Sequence, residues 1–150
     1  MTIEELSPNS FTTLTEMFLK LWPECVYEEE FENCQRIYKS PTETFFLSKE
    51  NNIYTGFIQM ALRSDPVEGT SSSPVAYIEG IYIEPEYRQN GIARKLVERG
   101  EHWGIEHGCK EIASDTEVHN QISIAFHLQS GFEEINRVVC FRKTLERNKL

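Results

Sequence analysis

Between Val75 and Glu106 the chain changes period within a few residues, and that change limits the folds open to it. Val75-Ala76-Tyr77-Ile78-Glu79-Gly80-Ile81-Tyr82-Ile83 reads as a strand, with β-branched and aromatic residues throughout. Pro85 ends it. A helix is expected from Gln89 to Glu106, with Ile92, Leu96 and Trp103 on one face and Gly108 as the stop. A strand that feeds a helix through so short a turn belongs to an α/β layer, not to an all-helical or all-strand domain. Gly80 inside the strand predicts a bulge or a close approach of another group.

The flanking segments fit that layer. Ser7-Pro8 reads as a cap followed by proline at the first helical position, and Phe11, Leu14, Phe18 and Leu21 then recur at helical spacing until Pro23. Phe31, Cys34 and Tyr38 predict a second helix, stopped before Pro41. Thr44-Phe45-Phe46-Leu47 and Ile53–Leu62 predict a hairpin about the Asn51-Asn52 turn. Ser64 to Pro74 is a loop, long enough to serve a function. Glu111–Ser114 is a further strand, Gln121–Gln129 a short helix closed at Gly131, and Phe132–Leu145 one or two more strands. The chain has 150 residues, which predicts a single domain over 1–150.

Charge narrows the partners. Fifteen Lys and Arg against 24 Asp and Glu give a net charge of −9, which repels phosphate backbones and favours cationic small molecules or basic peptides. No apolar run approaches the roughly 20 residues of a membrane span. The acidic start, Met1-Thr2-Ile3-Glu4-Glu5, lacks the basic region of a signal peptide, so a cytoplasmic location is expected. Cys25, Cys34, Cys109 and Cys140 form no C-x-x-C pair and are expected as reduced, mostly buried thiols. The four histidines show no ligand spacing, and no metal is expected. The Glu24–Glu32 acids fit a solvated helix face.

The strand-to-helix turn is the segment with the most chemistry. Helix-start amides lack partners and carry partial positive charge. Over Gln89–Arg94 they converge where Gly91 and Ala93 keep bulky side chains away, a geometry that suits a pyrophosphate. Read as bare spacing, the same segment is an ordinary strand-to-helix turn. G-x-x-x-x-G-K and G-x-G-x-x-G are both absent.

Arg88-x-x-Gly91-x-Ala93 resembles the acyl-CoA loop of the GNAT superfamily of N-acetyltransferases. Asn120, Ala125, His127 and Gly131-Phe132 resemble that family's second element, in the expected order. Leu21-Trp22-Pro23, Ser73–Ala76, Glu79–Ile81, Pro85–Arg88, Ala113–Asp115 and Asn120–Ser123 narrow the likeness to the aminoglycoside 6'-N-acetyltransferases.

The resemblance implies a mixed α/β central sheet with a splayed strand and flanking helices, acetyl-CoA as cosubstrate, an aminoglycoside acceptor whose acetylation confers resistance, and a homodimer. The backbone of Ile81, Tyr82 and Ile83 would pair with the pantetheine arm. Arg88, Gln89, Asn90, Gly91, Ile92, Ala93 and Arg94 would hold the pyrophosphate, and Asn120 would contact CoA. Trp22, Glu79, Asp115 and Asn136 would line the acceptor site. Glu79 would take a proton from the amine, the Tyr82 N–H would stabilise the oxyanion, and His127 stands where many relatives carry a tyrosine that protonates the leaving thiolate. Close relatives differ at Pro66 (an aromatic), Asn136 (an acid) and Cys25 (a nearby His). Those departures keep open another amine acceptor, such as a polyamine or a protein N-terminus. A non-catalytic acyl-CoA sensor is the third reading.

Overall fold

The computed structural model describes residues 1–149. They form a five-stranded sheet in the order β1 (Thr2–Glu5), β2 (Glu43–Glu50), β3 (Ile53–Arg63), β4 (Val75–Ile83) and β5 (Ile112–Ser114). β1 to β4 run antiparallel; β4 and β5 are parallel and joined by helix α3 (Ile92–Glu106). Helices α1 (Phe11–Leu21) and α2 (Tyr27–Tyr38) precede β2, and α4 (Gln121–Gln129) follows β5. Contacts divide the chain into unit 1, Met1–Asp115, and unit 2, Thr116–Leu150.

In unit 1 both faces of the sheet are covered, which explains the unbroken run Phe45-Phe46-Leu47. Phe45, Leu47, Phe57 and Tyr82 join Leu14, Met17, Phe18, Cys34 and Ile37 from α1 and α2 in one core. On the other face Phe46 meets the Arg99 guanidinium 4.1 Å from its ring centre. Met60 lies where a Cβ on Gly100 would be, and Ala76 where a Cβ on Gly104 would be. Those two glycines let α3 sit directly on the strands.

Ser7 and Ser10 cap the start as expected: the Ser7 N–H donates to Ser10 Oγ at 3.2 Å, and Ser10 Oγ–H donates back to the Ser7 carbonyl at 3.0 Å. The turn they close is a short 3-10 segment, Pro8–Ser10, and α1 begins at Phe11. The acids Glu28, Glu29 and Glu30 fill the first turn of α2, where the helix dipole favours them.

Three expectations are corrected, and one strand is additional to them. β1 was not anticipated: four residues of mixed polarity become a strand only because the β2 edge accepts them in register, Thr2 opposite Lys49. Helix α3 starts at Ile92, not Gln89, because Gln89 and Gly91 take left-handed backbone angles (φ 64° and 77°) and Pro85–Tyr87 form a separate 3-10 turn. No strand is found over Phe132–Leu145; nothing among the described residues of unit 2 pairs with that segment, and a strand needs a ladder partner. The thiols are all free, but only Cys34 is buried and Cys140 is exposed.

Gly104→Ala tests how tightly α3 lies on the sheet. The new methyl would stand 2.8 Å from the Ala76 Cβ, which cannot swing away. Helix propensity would gain about 1 kcal/mol. Overpacking of about 1–3 kcal/mol should offset or exceed that gain, so the urea midpoint should fall or hold where propensity alone predicts a rise.

Candidate active site

The site in unit 1 is built on a local break in β4. Gly80 pairs with Gln59 and Ile78 with Met60, so Glu79 is the extra residue of a bulge. β5 pairs with β4 only at Ala76, Tyr77 and Ile78. Beyond Ile78, the edge of β4 over Glu79–Ile83 has no strand beside it among the described residues. Its other edge stays bonded to β3 as far as Gly56 opposite Ile83.

The bulge and the close approach predicted from Gly80 are both present. A Cβ on Gly80 would lie 2.3 Å from the Trp22 ring carbon Cη2, so the indole rests on the bare backbone there. Trp22 is half-buried and also packs on Phe18, ring centres 4.5 Å apart. That contact sets the indole against Gly80, the residue after Glu79 in the chain.

Glu79 is clasped by Arg63. Nε–H donates to Oε1 at 3.0 Å and Nη2–H to Oε2 at 2.8 Å. The Arg63 guanidinium carbon stacks 3.4 Å from the centre of the Tyr77 ring, and the Tyr77 O–H donates to Asp115 Oδ2. Burial first, and the Asp115 hydrogen bond next, push the Tyr77 phenol well above the tyrosine range, so it stays protonated as a donor. The hydrogen bond to Glu79 raises Arg63. One chain of contacts therefore joins Glu79 to Asp115 across β4 and the end of β5.

Sequence reading missed Arg63 and Tyr77. The available signal was the long loop between two strands: closing β3 and β4 antiparallel brings Arg63 opposite Val75, within reach of Tyr77 and Glu79. Register alone decides the pairing.

The loop before α3 is tied to the end of β4. Arg88 Nε–H donates to the Ile83 carbonyl at 2.8 Å, fixing the loop to the end of β4, and Asn90 Nδ2–H donates to Tyr87 O at 3.3 Å. Gly91 occupies the N-cap position with no side-chain cap, no acid stands in the first turn, and a Cβ at Gly91 would meet nothing within 4 Å. Lys95 N–H is the first to bond back, to Gly91 O at 3.2 Å, so the amides of Ile92, Ala93 and Arg94 precede the first helical bond. That concave run of amides fits an anion.

Tyr82 directs its ring into the core against Phe57, so only its backbone serves the β4 edge. Its hydroxyl donates to Glu84 Oε2 at 3.2 Å, and Lys20 pairs with Glu84 Oε1 at 2.7 Å. Glu84 and Lys20 were also not singled out from sequence.

Asn120, His127 and Asn136 belong to unit 2. Asn120 Oδ1 accepts from Ser123 N–H at 3.1 Å and caps α4. His127 Nδ1 lies 2.7 Å from the Ser123 carbonyl. A carbonyl only accepts, so Nδ1 carries hydrogen. The ring also meets Phe132, centres 5.3 Å apart. Asn136 Oδ1 accepts from the Arg137 N–H at 2.8 Å. Burial raises the Cys25, Cys34 and Cys109 thiols, which disfavours a thiolate nucleophile at those positions. Among the described residues no cluster of metal-ligating side chains and no helix fit to cross a membrane is found.

The acetyltransferase (GNAT) family model matches residues 9–132, and the chain belongs to that family. The aminoglycoside N(6')-acetyltransferase type 1 of Salmonella typhimurium is 36% identical over 124 residues, covering 83% of this chain and 86% of that protein. The protein of the same name from Stenotrophomonas maltophilia is 35% identical over 145 residues, 97% of this chain and 94% of the other. A solved structure of AAC(6')-Iy with the bisubstrate analogue CoA-S-monomethyl-acetylneamine superposes with a TM-score of 0.93 at 32% identity, covering 96% of this chain and 98% of that one.

Tyr77 gives a pH test. Its folded value lies above the ordinary 10.0, so the folded state holds this proton more tightly than the unfolded one. The resulting stability is fully present below pH 10.0 and is lost as pH rises through the raised value. In Tyr77→Phe, denaturation midpoints should fall less steeply above that pH than in the unaltered protein.

Proposed function

We propose that the chain transfers the acetyl group of acetyl-CoA to the 6'-amino group of aminoglycosides in a ternary complex. The observation that carries this reading is the free β4 edge lying between a helix start fit for an anion and a pair of carboxylates. Relatives named for this activity, and a similar structure holding CoA joined to acetylneamine, support it. The family match runs from unit 1 into unit 2, which supports one acetyltransferase domain over 1–150.

The acceptor is a polycation, and carboxylates steer and hold it. Glu79 and Asp115 supply that charge, with Trp22 as an apolar face. The Ile81–Ile83 backbone takes the pantetheine amides as an added strand. Residues Arg88 to Arg94 hold the pyrophosphate. Acetyl-CoA supplies the activated carbonyl. Glu79 receives the proton of the attacking ammonium, directly or through water. The Tyr82 N–H faces the oxygen on which charge develops, a donor typically worth about 2.7–4 kcal/mol. The amine nitrogen bonds to the carbonyl carbon, the carbon–sulfur bond breaks, and the nitrogen's second proton passes through water to the departing thiolate. The product amide no longer carries the amine's positive charge, which weakens the drug and gives resistance. The supply of acetyl-CoA places the enzyme in the cytoplasm.

The active form is a homodimer. Val138, Val139, Phe141 and Leu145 are 69%, 78%, 91% and 87% exposed, and α4 buries no residue, so unit 2 carries apolar side chains that a second copy would cover.

A thiol-release assay with acetyl-CoA should give turnover with kanamycin and tobramycin. Turnover on polyamines or peptides alone would overturn the acceptor, and coenzyme binding without turnover would overturn catalysis. Gly91→Glu places bulk and negative charge on a left-handed backbone position beside the helix amides. It should abolish acetyl-CoA binding while circular dichroism stays unchanged; retained affinity would refute the loop assignment. For assembly, sedimentation should show a dimer that Phe141→Asp with Val139→Asp converts to a monomer.

A further inference from the structure

Arg63 ends β3 where the chain leaves for the Ser64–Pro74 loop, and its guanidinium faces two different groups. Its edge grips both oxygens of Glu79, at 3.0 and 2.8 Å. Its flat face lies 3.4 Å from the centre of the Tyr77 ring, whose hydroxyl is bonded to Asp115. A single cation thus fixes one carboxylate directly and the other through one intervening ring.

Stability alone is a weak reason for this arrangement. The Arg63 and Glu79 side chains are 42% and 27% exposed, and ion pairs so open to water add little to stability. Lysine would serve such a pair, but it can neither fork to two oxygens nor stack flat on a ring. A carboxylate has about four lone-pair sites, and the clasp uses two. The remaining pair can meet an ammonium without displacing Arg63. The cation between them also lowers the repulsion between the Glu79 and Asp115 carboxylates.

We propose that Arg63 is the positioning residue of the acceptor site: it holds Glu79 and Asp115 in one frame, so that an amino sugar meets two carboxylates at fixed spacing. Arg63 itself does not touch the reacting atoms. The assignment rests on the acceptor-site reading given under the proposed function and deepens it.

The test uses the full chain with Arg63→Gln and Arg63→Lys, measuring kcat, the KM for kanamycin, the KM for acetyl-CoA, and Tm. In Arg63→Gln the kanamycin KM should rise about tenfold, ~1.4 kcal/mol, while the acetyl-CoA KM stays within about twofold. Arg63→Lys should recover only part of the loss. Arg63→Gln should cost less in an Asp115→Asn background than alone, because both act on one network. A parallel rise in both KM values, an unchanged kanamycin KM with a lowered Tm, or full rescue by lysine would each overturn the assignment. Glu79→Gln and Asp115→Asn are measured alongside. If neither raises the kanamycin KM, the acceptor-site reading fails and Arg63 falls with it. If they do and Arg63→Gln does not, only the Arg63 assignment fails.

Discussion

Everything in the proposed chemistry depends on β4 losing its neighbour after Ile78. The hydrogen-bonded ladder to β5 covers three residues and stops, while the ladder to β3 continues. Backbone amides and carbonyls of Glu79–Ile83 are therefore left without a strand on one side, and unpaired backbone groups bind whatever chain can complete them. The bulge at Glu79 marks the same place. It bends the strand and puts the extra residue where β4 begins to stand alone.

Two further features lie close to that break along the chain. The left-handed turn at Gln89 and Gly91 sends the chain into α3 with its first amides uncapped, tied back to β4 through Arg88 and the Ile83 carbonyl. On the other side, Trp22 rests on Gly80, and Arg63 joins Glu79 to Tyr77 and Asp115. Uncapped helix amides and carboxylate side chains thus flank the stretch of β4 that has no strand on one side among the described residues. An overall charge of −9 suits the cationic partner, and the local amides suit the anionic one.

Unit 2 has a different physical character. Its helix is apolar yet buries none of its residues, and the segment after Phe132 carries exposed valines, a phenylalanine and a leucine. Such surface is costly in water at about 25 cal/mol per Å2. The proposed dimer would cover that surface.

Helix faces, caps, the Asn51-Asn52 turn, the long loop and the strand-to-helix junction were all legible in the residues, because each is set by contacts a few positions apart along the chain. The turn before α3 was legible in part for the same reason, since glycine at a left-handed position and a helix start are local events. Trp22, Glu79 and Asp115 could be named individually through family likeness, but not joined. Tertiary structure alone decided that β1 pairs with β2, that Phe132–Leu145 finds no partner among the described residues, and that Arg63 and Tyr77 link the two carboxylates. Those facts turn on strand register and on which edge stays open, and register depends on residues far apart in the chain that only meet once the sheet has formed.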